Sequence, residues 1–94
     1  MRTIKRTKKF KRDYKRIYKA NQHKNLDNDL RAIFTLLAAD KPLLFSKYDH
    51  FLTGNWQDYR ECHIYPDLIL IYRKPDNSIL ELVRLGSHSQ LGLS

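Results

Sequence analysis

The sequence predicts an α+β fold in which a short strand and an antiparallel helix hairpin pack on one face of a small antiparallel sheet. Three observations predict it. Apolar residues recur at helical spacing through about the first forty positions. Three strand-like segments follow, separated by turns that contain Pro and Asp. No repeat or linker divides the 94 residues, which have room for one core, so we expect a single domain over residues 1–94.

The first elements are a short strand and two helices. Residues 3–5 are predicted to form an edge strand. A helix is predicted from Lys8 to Ala20, because apolar residues share one helical face at Phe10, Tyr14, Ile17 and Tyr18. A second helix is predicted from about Asp27 to Ala39, with a buried face at Leu30, Ile33, Phe34 and Leu37. A few polar residues join the two helices, which favours an antiparallel hairpin.

The second half is predicted to form an irregular segment and three strands. Residues 43–58 lack a regular pattern and contain the turn Gly54-Asn55. Strands are expected at residues 59–65, 68–74 and 79–85, and residues 86–94 form a tail. The middle segment is almost continuously apolar, so we expect both of its faces to be buried. Short turns between these strands favour an antiparallel order.

The positive charge is concentrated near the N-terminus. Residues 1–24 hold eleven Lys or Arg and one acid, so this segment carries +10 and the remainder carries −2 of a net +8. A basic stripe binds phosphate backbones, anionic membranes or an acidic protein, and the alternative is a solvated helix face. With RNA as the partner, the predicted contacts on the first helix are Lys8, Lys11 and Lys15.

Other features of composition indicate the compartment. One cysteine, Cys62, excludes an intrachain disulfide and favours a reducing environment. No apolar run approaches the ~20 residues of a membrane span. The basic N-terminal residues lack the apolar segment of a secretory signal. We therefore expect a cytoplasmic protein that does not enter a membrane.

Three histidines of the second half point to proton transfer. His50, His63 and His88 each lie in a short polar string beside apolar segments. Histidine titrates near neutral pH, so histidines that converge on one cleft can both take and give a proton. Strand alternation places His63 on the same face as Glu61 and Tyr65, away from the helices. On a cationic surface, such groups suggest work on RNA.

Cleavage of RNA without a metal requires three chemical roles. A base takes the proton of the ribose 2′-OH, a cation or donor stabilises the phosphorane, and an acid protonates the leaving 5′-oxygen. An unpaired base also needs an aromatic surface on which to stack. The candidates for the chemical roles are His50, His63, His88, Asp67 and either Arg84 or Arg60, and the candidates for stacking are Trp56 and Tyr65.

Each candidate also has a structural interpretation. His50 in a loop is explained by solvation or capping, and His63 by a hydrogen bond to Asp67, itself a common turn residue. The spacing of the histidines and Asp67 matches no common zinc pattern, so we expect no metal. Cys62 is predicted on the face opposite His63, where it packs in the core. The residues alone favour an RNA-binding domain and leave a nuclease open.

Two strings in the second half resemble a known family. They are Asp49-His50-x-Leu52-Thr53-Gly54-x-Trp56-x-Asp58-Tyr59-Arg60-Glu61-Cys62-His63-Ile64-x-Pro66-Asp67-Leu68-Ile69-Leu70-Ile71-Tyr72 and Leu82-Val83-Arg84-Leu85-Gly86-Ser87-His88-Ser89. Both resemble the YafQ-type mRNA interferase toxins of the RelE/ParE superfamily. The match covers most of residues 42–90, whereas the first 40 residues agree only in type.

The resemblance implies a RelE-like microbial ribonuclease fold and a toxin of a type II toxin–antitoxin pair. Such toxins enter the A site of the 70S ribosome and cut mRNA there without a metal or cofactor, leaving a 2′,3′-cyclic phosphate. A DinJ-like antitoxin neutralises them in a complex, expected to be a heterotetramer that binds operator DNA through the antitoxin. The catalytic residues carry over to His50, His63, Asp67 and His88, with Trp56 in support. We favour His88 and His50 as the proton-transfer pair, with His63 and Asp67 holding substrate and transition state.

One departure from the family and two other functions complete the expectations. Gly92 stands where the family often has an aromatic residue, which predicts weaker cleavage or different codon reading. A non-catalytic module that binds RNA or the ribosome would arrest translation and leave mRNA intact. The basic helix would alternatively serve mainly as the groove for an acidic antitoxin segment, a function compatible with catalysis elsewhere.

Overall fold

A mixed sheet with a helix hairpin on one face forms the fold, so the predicted α+β class is confirmed. The structure, a computed structural model, describes residues 1–93. Its helices and strands are β1 (Thr3–Arg6), α1 (Lys8–Ala20), α2 (Leu26–Ala38), β2 (His50–Phe51), β3 (Arg60–Tyr65), β4 (Leu68–Arg73), β5 (Ile79–Gly86) and α3 (His88–Leu91). Among the residues described, no helix is long and apolar enough to cross a membrane.

The two long helices begin and end close to the predicted positions. The Thr7 side chain accepts a hydrogen bond from the backbone N–H of Phe10 and so caps α1. Asn21, with φ of 52°, ends α1 in the left-handed conformation that Asn tolerates well. Asp27 and Asp29 lie in the first turn of α2, where negative charge complements the helix dipole. These local signals explain why the periodicity located the hairpin correctly.

The sheet has five strands in the order β1-β5-β4-β3-β2. Neighbouring strands are antiparallel, as predicted for the last three, except β1 and β5, which are parallel; the direction of β1 was not predicted. The reason is that the chain between β1 and β5 runs through both long helices and three strands, and no short turn dictates the direction of β1. The short β2 at the other edge lies inside the segment predicted to be irregular.

Two apolar clusters cover the two faces of β4, whose burial on both sides is confirmed. The helix-side cluster packs α1 and α2 against the sheet and includes Cys62, which is fully buried as predicted. The far-side cluster is smaller and includes Ile69, Ile71 and Leu91. The tail predicted after residue 85 instead forms α3, which packs Leu91 onto that far side. The functional residues described below lie beside the far-side cluster.

Two β-bulges change the faces that simple alternation predicts. The register between β4 and β5 shifts at Val83, because Ile71 pairs with Arg84 whereas Tyr72 pairs with Leu82. As a result Leu85 joins Leu82 in the helix-side cluster, although simple alternation would place the two side chains on opposite faces. A second shift in β3 lies between His63 and Tyr65.

The buried face of α1 includes a carboxylate that periodicity did not predict. Asp13 is 2% exposed, whereas Tyr18, predicted to be buried, is 58% exposed. The Asp13 carboxylate accepts hydrogen bonds from Arg84 Nε at 2.7 Å and from the Leu85 backbone N–H at 3.1 Å. Burial raises the pKa of Asp13, but Arg84 and the Leu85 N–H outweigh it and hold that pKa below its usual value. Asp13 therefore ties α1 to the end of β5 that leads to His88.

Replacing Asp13 by alanine is expected to lower the free energy of unfolding by about 3 kcal/mol, because Arg84 then loses its buried partner. Since the folded-state pKa of Asp13 is lowered, its contribution is present above pH about 4 and disappears as the pH falls further. Urea unfolding at pH 7 and at pH 3 measures both effects. The matched control is Arg16→Ala, which removes an exposed partner of the same carboxylate and costs less than about 1 kcal/mol. Equal losses in the two variants would contradict this account.

Candidate active site

Three histidines surround one buried carboxylate near the β2 edge of the sheet. Glu61 is 5% exposed and lies in β3. Its Oε1 lies 3.1 Å from His50 Nε2, 3.6 Å from His88 Nε2 and 3.9 Å from His63 Nε2. Its Oε2 is buried and has no hydrogen-bond partner among the residues described. We call Glu61, His50, His63 and His88 the histidine–glutamate cluster.

Strand pairing explains how two of the histidines reach Glu61. His50 in β2 lies directly opposite Glu61 in the antiparallel pair, so both side chains lie on one face. His63 lies two residues beyond Glu61 on β3 and shares that face by alternation. The first and second predicted catalytic histidines are therefore brought together by β2 and β3 alone.

The third histidine arrives on the short helix α3. The Ser87 hydroxyl accepts a hydrogen bond from the Gln90 backbone N–H, and the Gln90 side chain accepts one from the Ser87 backbone N–H. This capping box begins the helix at His88, directly after β5. The His88 ring then lies edge-on to the His63 ring, with 5.4 Å between centroids. A local cap thus determines where the third imidazole lies.

The hydrogen bonds of His50 locate one proton. His50 Nδ1 lies 2.6 Å from the carbonyl oxygen of Tyr48, and because a carbonyl only accepts, Nδ1 carries the hydrogen. His50 Nε2 therefore faces Glu61 Oε1 with the second ring nitrogen, at 3.1 Å. At this distance the carboxylate stabilises a proton on His50 Nε2 whenever the imidazole is protonated. The arrangement therefore suits His50 as a proton donor.

His63 differs from His50 in its surroundings. Partial burial lowers the pKa of His63, and the neighbouring His88 and His50 lower it further, whereas Glu61 acts in the opposite direction. The net effect is a pKa below the usual value for histidine, so the neutral imidazole dominates at neutral pH. Two histidines of the cluster are thereby distinguished: His50 faces the Glu61 carboxylate at 3.1 Å, and the neutral imidazole of His63 has a lone pair that can accept a proton.

The fold also brings together groups able to hold a metal. Three possible ligand atoms, one from each of Glu61, His63 and His88, all lie within 4.8 Å of one another. Two imidazole nitrogens and a carboxylate oxygen suit a transition metal such as zinc or copper. Because these groups come from β3 and α3, the spacing along the sequence could not indicate the site.

Asp67 and Trp56 lie near the histidine–glutamate cluster but outside it. Asp67 is exposed in the turn between β3 and β4 and lines a small cavity with Ser87 and Gln90. Among the residues described, no hydrogen bond or ion pair joins Asp67 to a histidine. Trp56 packs edge-on against Tyr59, with centroids 5.1 Å apart, in the far-side cluster. Trp56 therefore has a packing role on the far side of the sheet.

Tyr65 and Arg84, predicted to contact RNA, are turned toward the helices. The bulge after His63 places Tyr65 against the helix-side cluster, so the prediction that it shares a face with His63 is wrong. Its ring stacks on His23 at 4.2 Å, and its hydroxyl donates to Asp29. Arg84 forms the ion pair with the buried Asp13 described above. The structure does not bring either residue to the histidine–glutamate cluster.

The contacts of Arg60 and the burial of Cys62 indicate that both residues stabilise the fold. Arg60 Nε donates to Asp49 at 3.2 Å and to the Tyr72 hydroxyl at 3.1 Å. Its guanidinium also lies over the Phe51 ring, 4.3 Å from the centroid. Burial raises the pKa of the Cys62 thiol to about 12, which removes the thiolate that a nucleophile needs. The prediction that Cys62 packs in the core is confirmed.

Glu61 was not among the candidate site residues predicted from the sequence. Strand alternation had already placed it on the face of His63, which was the available signal. The pairing of Glu61 with His50 across the sheet was not predicted, because β2 lies in a segment without periodicity. The predicted helix contacts Lys8, Lys11 and Lys15 are all exposed on α1 and lie along one face.

Fold and site together define a class, the RelE-like bacterial toxins. The sequence model of the family described as "Bacterial toxin of type II toxin-antitoxin system, YafQ" matches residues 2–92. The chain belongs to this YafQ family, as its sequence predicted. The identification extends over both the helix hairpin and the sheet, including the first 40 residues that resembled the family only in type.

Relatives of known name and structure agree with this assignment. The mRNA interferase toxin YafQ of Escherichia coli K12 is 37% identical over 90 residues, which are 94% of this chain and 97% of that protein. The YafQ chain in the crystal structure of the E. coli DinJ–YafQ complex has a TM-score of 0.82 and 35% identity, and 96% of each chain is covered. A metal-bound toxin from Helicobacter pylori has a TM-score of 0.85 and 43% identity, covering 97% of this chain and 99% of that one. The name of the E. coli relative, an mRNA interferase, implies an endoribonuclease, the enzyme class that the resemblance implied.

Proposed function

We propose that this toxin is an endoribonuclease that cleaves mRNA in the A site of the ribosome, by metal-independent acid–base attack of the 2′-OH. The observation that supports it most directly is the convergence of His50, His63 and His88 on Glu61. The E. coli relative is named an mRNA interferase, which supports mRNA as the substrate. The proposal includes inhibition of translation and growth, and action in the cytoplasm.

The base in this proposal is His63. Its neutral imidazole takes the proton of the ribose 2′-OH, and the resulting 2′-oxygen forms a bond to the phosphorus atom. This assignment differs from the sequence-based division, in which His63 held the substrate, because the lowered pKa of His63 suits a base. His63 lies beside Glu61, which stabilises the imidazolium that forms.

The acid is the His50–Glu61 pair. A proton on His50 Nε2, which Glu61 stabilises, passes to the 5′-oxygen as the bond between phosphorus and that oxygen breaks. The products are a 2′,3′-cyclic phosphate and a 5′-hydroxyl, so one proton is taken and one is given. The His88 ring lies edge-on to that of His63, and His88 is proposed to donate to the phosphorane. Asp67, exposed beside Ser87, is proposed to position the substrate.

The basic face of α1 is the proposed contact for the RNA backbone. Four lysines of α1 are exposed at helical spacing: Lys8, Lys11, Lys15 and Lys19. The first turn of α1 contains no acidic residue. Lysine ammonium groups on a regular stripe neutralise phosphates without reading sequence. The same surface suits an acidic antitoxin segment, so one stripe serves two anionic partners.

Changing Lys8, Lys11, Lys15 and Lys19 to Glu is expected to weaken ribosome binding strongly and to reduce its salt dependence. Each lost phosphate contact removes roughly 0.7 to 0.9 from the slope of log affinity against log salt. Binding to 70S ribosomes over a range of KCl concentrations gives the slope. The control variant changes to Glu four exposed basic residues that lie off that stripe, Lys5, Lys24, Arg31 and Lys41. Its net charge therefore changes by the same amount. Equal loss in both variants would reject a local contact by α1.

The proposed partner is a DinJ-like antitoxin that neutralises the toxin. A solved complex of the E. coli relative with DinJ supports the partner class. We propose a heterotetramer that binds operator DNA through the antitoxin. Retained antitoxin affinity in the α1 variant, with ribosome binding lost, would reject the view that α1 serves mainly as the antitoxin groove.

Primer extension on mRNA from cells that briefly express the toxin tests the function. Cuts in the reading frame that depend on translation are expected. Intact mRNA despite arrested growth would support the non-catalytic alternative. Cleavage by purified toxin on programmed 70S ribosomes, with a chelator that removes transition metals but leaves Mg²⁺ for the ribosome, tests metal independence. Loss of cleavage in the chelator, restored by zinc or copper, would reject the metal-independent mechanism and assign the metal to Glu61, His63 and His88.

A further inference from the structure

Two aromatic side chains project into solvent beside the histidine–glutamate cluster. Phe45 is 93% exposed and Tyr48 is 58% exposed. Their ring centroids lie 6.3 Å apart. An exposed apolar patch of this kind marks an interaction site. We call these two residues the aromatic surface.

The aromatic surface is continuous with the cluster through Tyr48. The Tyr48 carbonyl accepts the hydrogen bond of His50 Nδ1, and the Tyr48 ring lies edge-on to His63, 5.3 Å between centroids. Tyr48 has a φ of 49°, in the left-handed region that a bulky residue seldom adopts. This backbone conformation presents the ring next to the proposed base while the carbonyl remains on His50. Residues held in such conformations concentrate at functional sites.

Open space lies on both sides of Tyr48. A cavity of about 400 Å³ is lined by Leu44, Phe45 and His50 together with Tyr48. A second, of about 460 Å³, lies between Tyr48, His63 and Tyr65. Both exceed the space that one flat nucleobase needs, and both open directly onto histidines of the cluster. A ring between two such cavities is accessible for stacking.

The other aromatic candidates in the described part of the chain are already covered. Trp56 packs on Tyr59, and Tyr65 is stacked on His23. Gly92, with φ of 73°, ends α3 and presents no side chain. An unpaired RNA base held near the cleaved phosphate therefore meets Tyr48 first, with Phe45 beside it.

We propose that Tyr48 and Phe45 form a nucleobase-stacking subsite that determines which bases of the mRNA are preferred beside the cleaved bond. The inference rests on the proposed endoribonuclease function. RNA is favoured over a protein partner because the aromatic surface adjoins the proposed catalytic groups through the contact of Tyr48 with His50 and His63. Bases stack on aromatic rings whatever their identity, and the strength of stacking gives a modest preference.

Three variants test the subsite. Tyr48→Phe keeps the ring, Tyr48→Leu keeps an apolar side chain without a ring, and Tyr18→Leu removes a ring of equal exposure from α1. The first measurement is fluorescence of 2-aminopurine placed in the A-site codon of ribosome-bound mRNA whose cleaved ribose lacks the 2′-OH. The second is kcat/KM for a set of A-site codons on programmed ribosomes.

Stacking predicts that wild type, Tyr48→Phe and Tyr18→Leu quench the fluorescence and share one order of codon preference. Tyr48→Leu is expected to lose the quenching, to cleave favoured codons roughly tenfold less efficiently and to show a flatter preference. Unchanged quenching and codon ratios in Tyr48→Leu would overturn the subsite. Unchanged ratios together with lost antitoxin affinity would also overturn it, in favour of a protein-docking surface.

Two further measurements keep the outcomes distinct. Wild-type toxin that quenches 2-aminopurine but cuts no mRNA would reject the proposed function while the stacking subsite stands. Thermal unfolding reports whether Tyr48→Leu folds. If it does not, Tyr48→Asn replaces it, because Asn tolerates the left-handed conformation and also lacks the ring. Quenching by a folded Tyr48→Asn variant would overturn the subsite.

Discussion

His88→Ala is expected to lower the rate of mRNA cleavage by about 10²- to 10⁴-fold, the usual contribution of a positioned proton-transfer or donor group. His88 begins α3 and is exposed, so its loss leaves both apolar clusters intact. It also leaves the capping box of Ser87 and Gln90, which holds α3 in place. The rate loss should therefore occur without a change in the unfolding temperature.

Single-turnover cleavage on programmed 70S ribosomes measures this effect. His23→Ala is the matched control, because His23 is the one described histidine outside the histidine–glutamate cluster and stacks on Tyr65. The control is expected to cleave at a rate near that of wild type. Normal cleavage by His88→Ala, and likewise by His50→Ala and His63→Ala, would reject the catalytic assignment.

Glu61→Gln is expected to lower cleavage by about 10²-fold, comparable to the loss of one electrostatic contact to a reacting group. The amide cannot stabilise a protonated His50 as a carboxylate can, and the substitution removes the negative charge beside His63. Because Glu61 raises the pKa of His63 against burial and the other two histidines, its neutralisation should lower that pKa further. The His63 titration, followed by NMR, should move to lower pH.

Stability should respond to Glu61→Gln in the opposite direction to activity. Glu61 Oε2 is buried without a partner, and a neutral amide costs less to bury than a carboxylate. We therefore expect a free energy of unfolding at pH 7 that is unchanged or higher. Glu81→Gln is the control. Glu81 Oε1 lies 2.6 Å from Arg73 Nε, and this ion pair is outside the histidine–glutamate cluster. A loss of activity that merely parallels unfolding, or an upward shift of the His63 titration, would contradict a role through charge.

Much of the fold could be predicted from local patterns. Lys8–Ala20 was located correctly because apolar spacing, the Thr7 cap and the Asn21 termination act within one or two turns. The continuous apolar run of β4 also indicated burial on both faces correctly, because residue type along a single strand is enough to predict it. The direction of β1 escaped prediction, because pairing with β5 depends on how the whole intervening chain folds.

The candidate site was predicted in part. The chemistry of histidine and the strings that resemble the YafQ toxins indicated His50, His63 and His88 without a structure. Glu61 was missed because a glutamate on a strand is usually solvent-facing, and its burial follows from β2 on one side and α3 on the other. Tyr65 was assigned to the wrong face, because a bulge of one residue reverses alternation and leaves no mark in the pattern of apolar residues.

The sequence by itself determined the class of fold, the basic helix, the family and the three histidines, because these depend on residue types and on spacing within single elements. Only the tertiary structure decided that the histidines share one buried carboxylate, that Asp13 holds Arg84 away from them, and that Tyr48 remains exposed beside His63. Each of these facts depends on contacts between residues far apart in the chain. Such contacts are set by strand register, bulges and packing, and no local spacing records them.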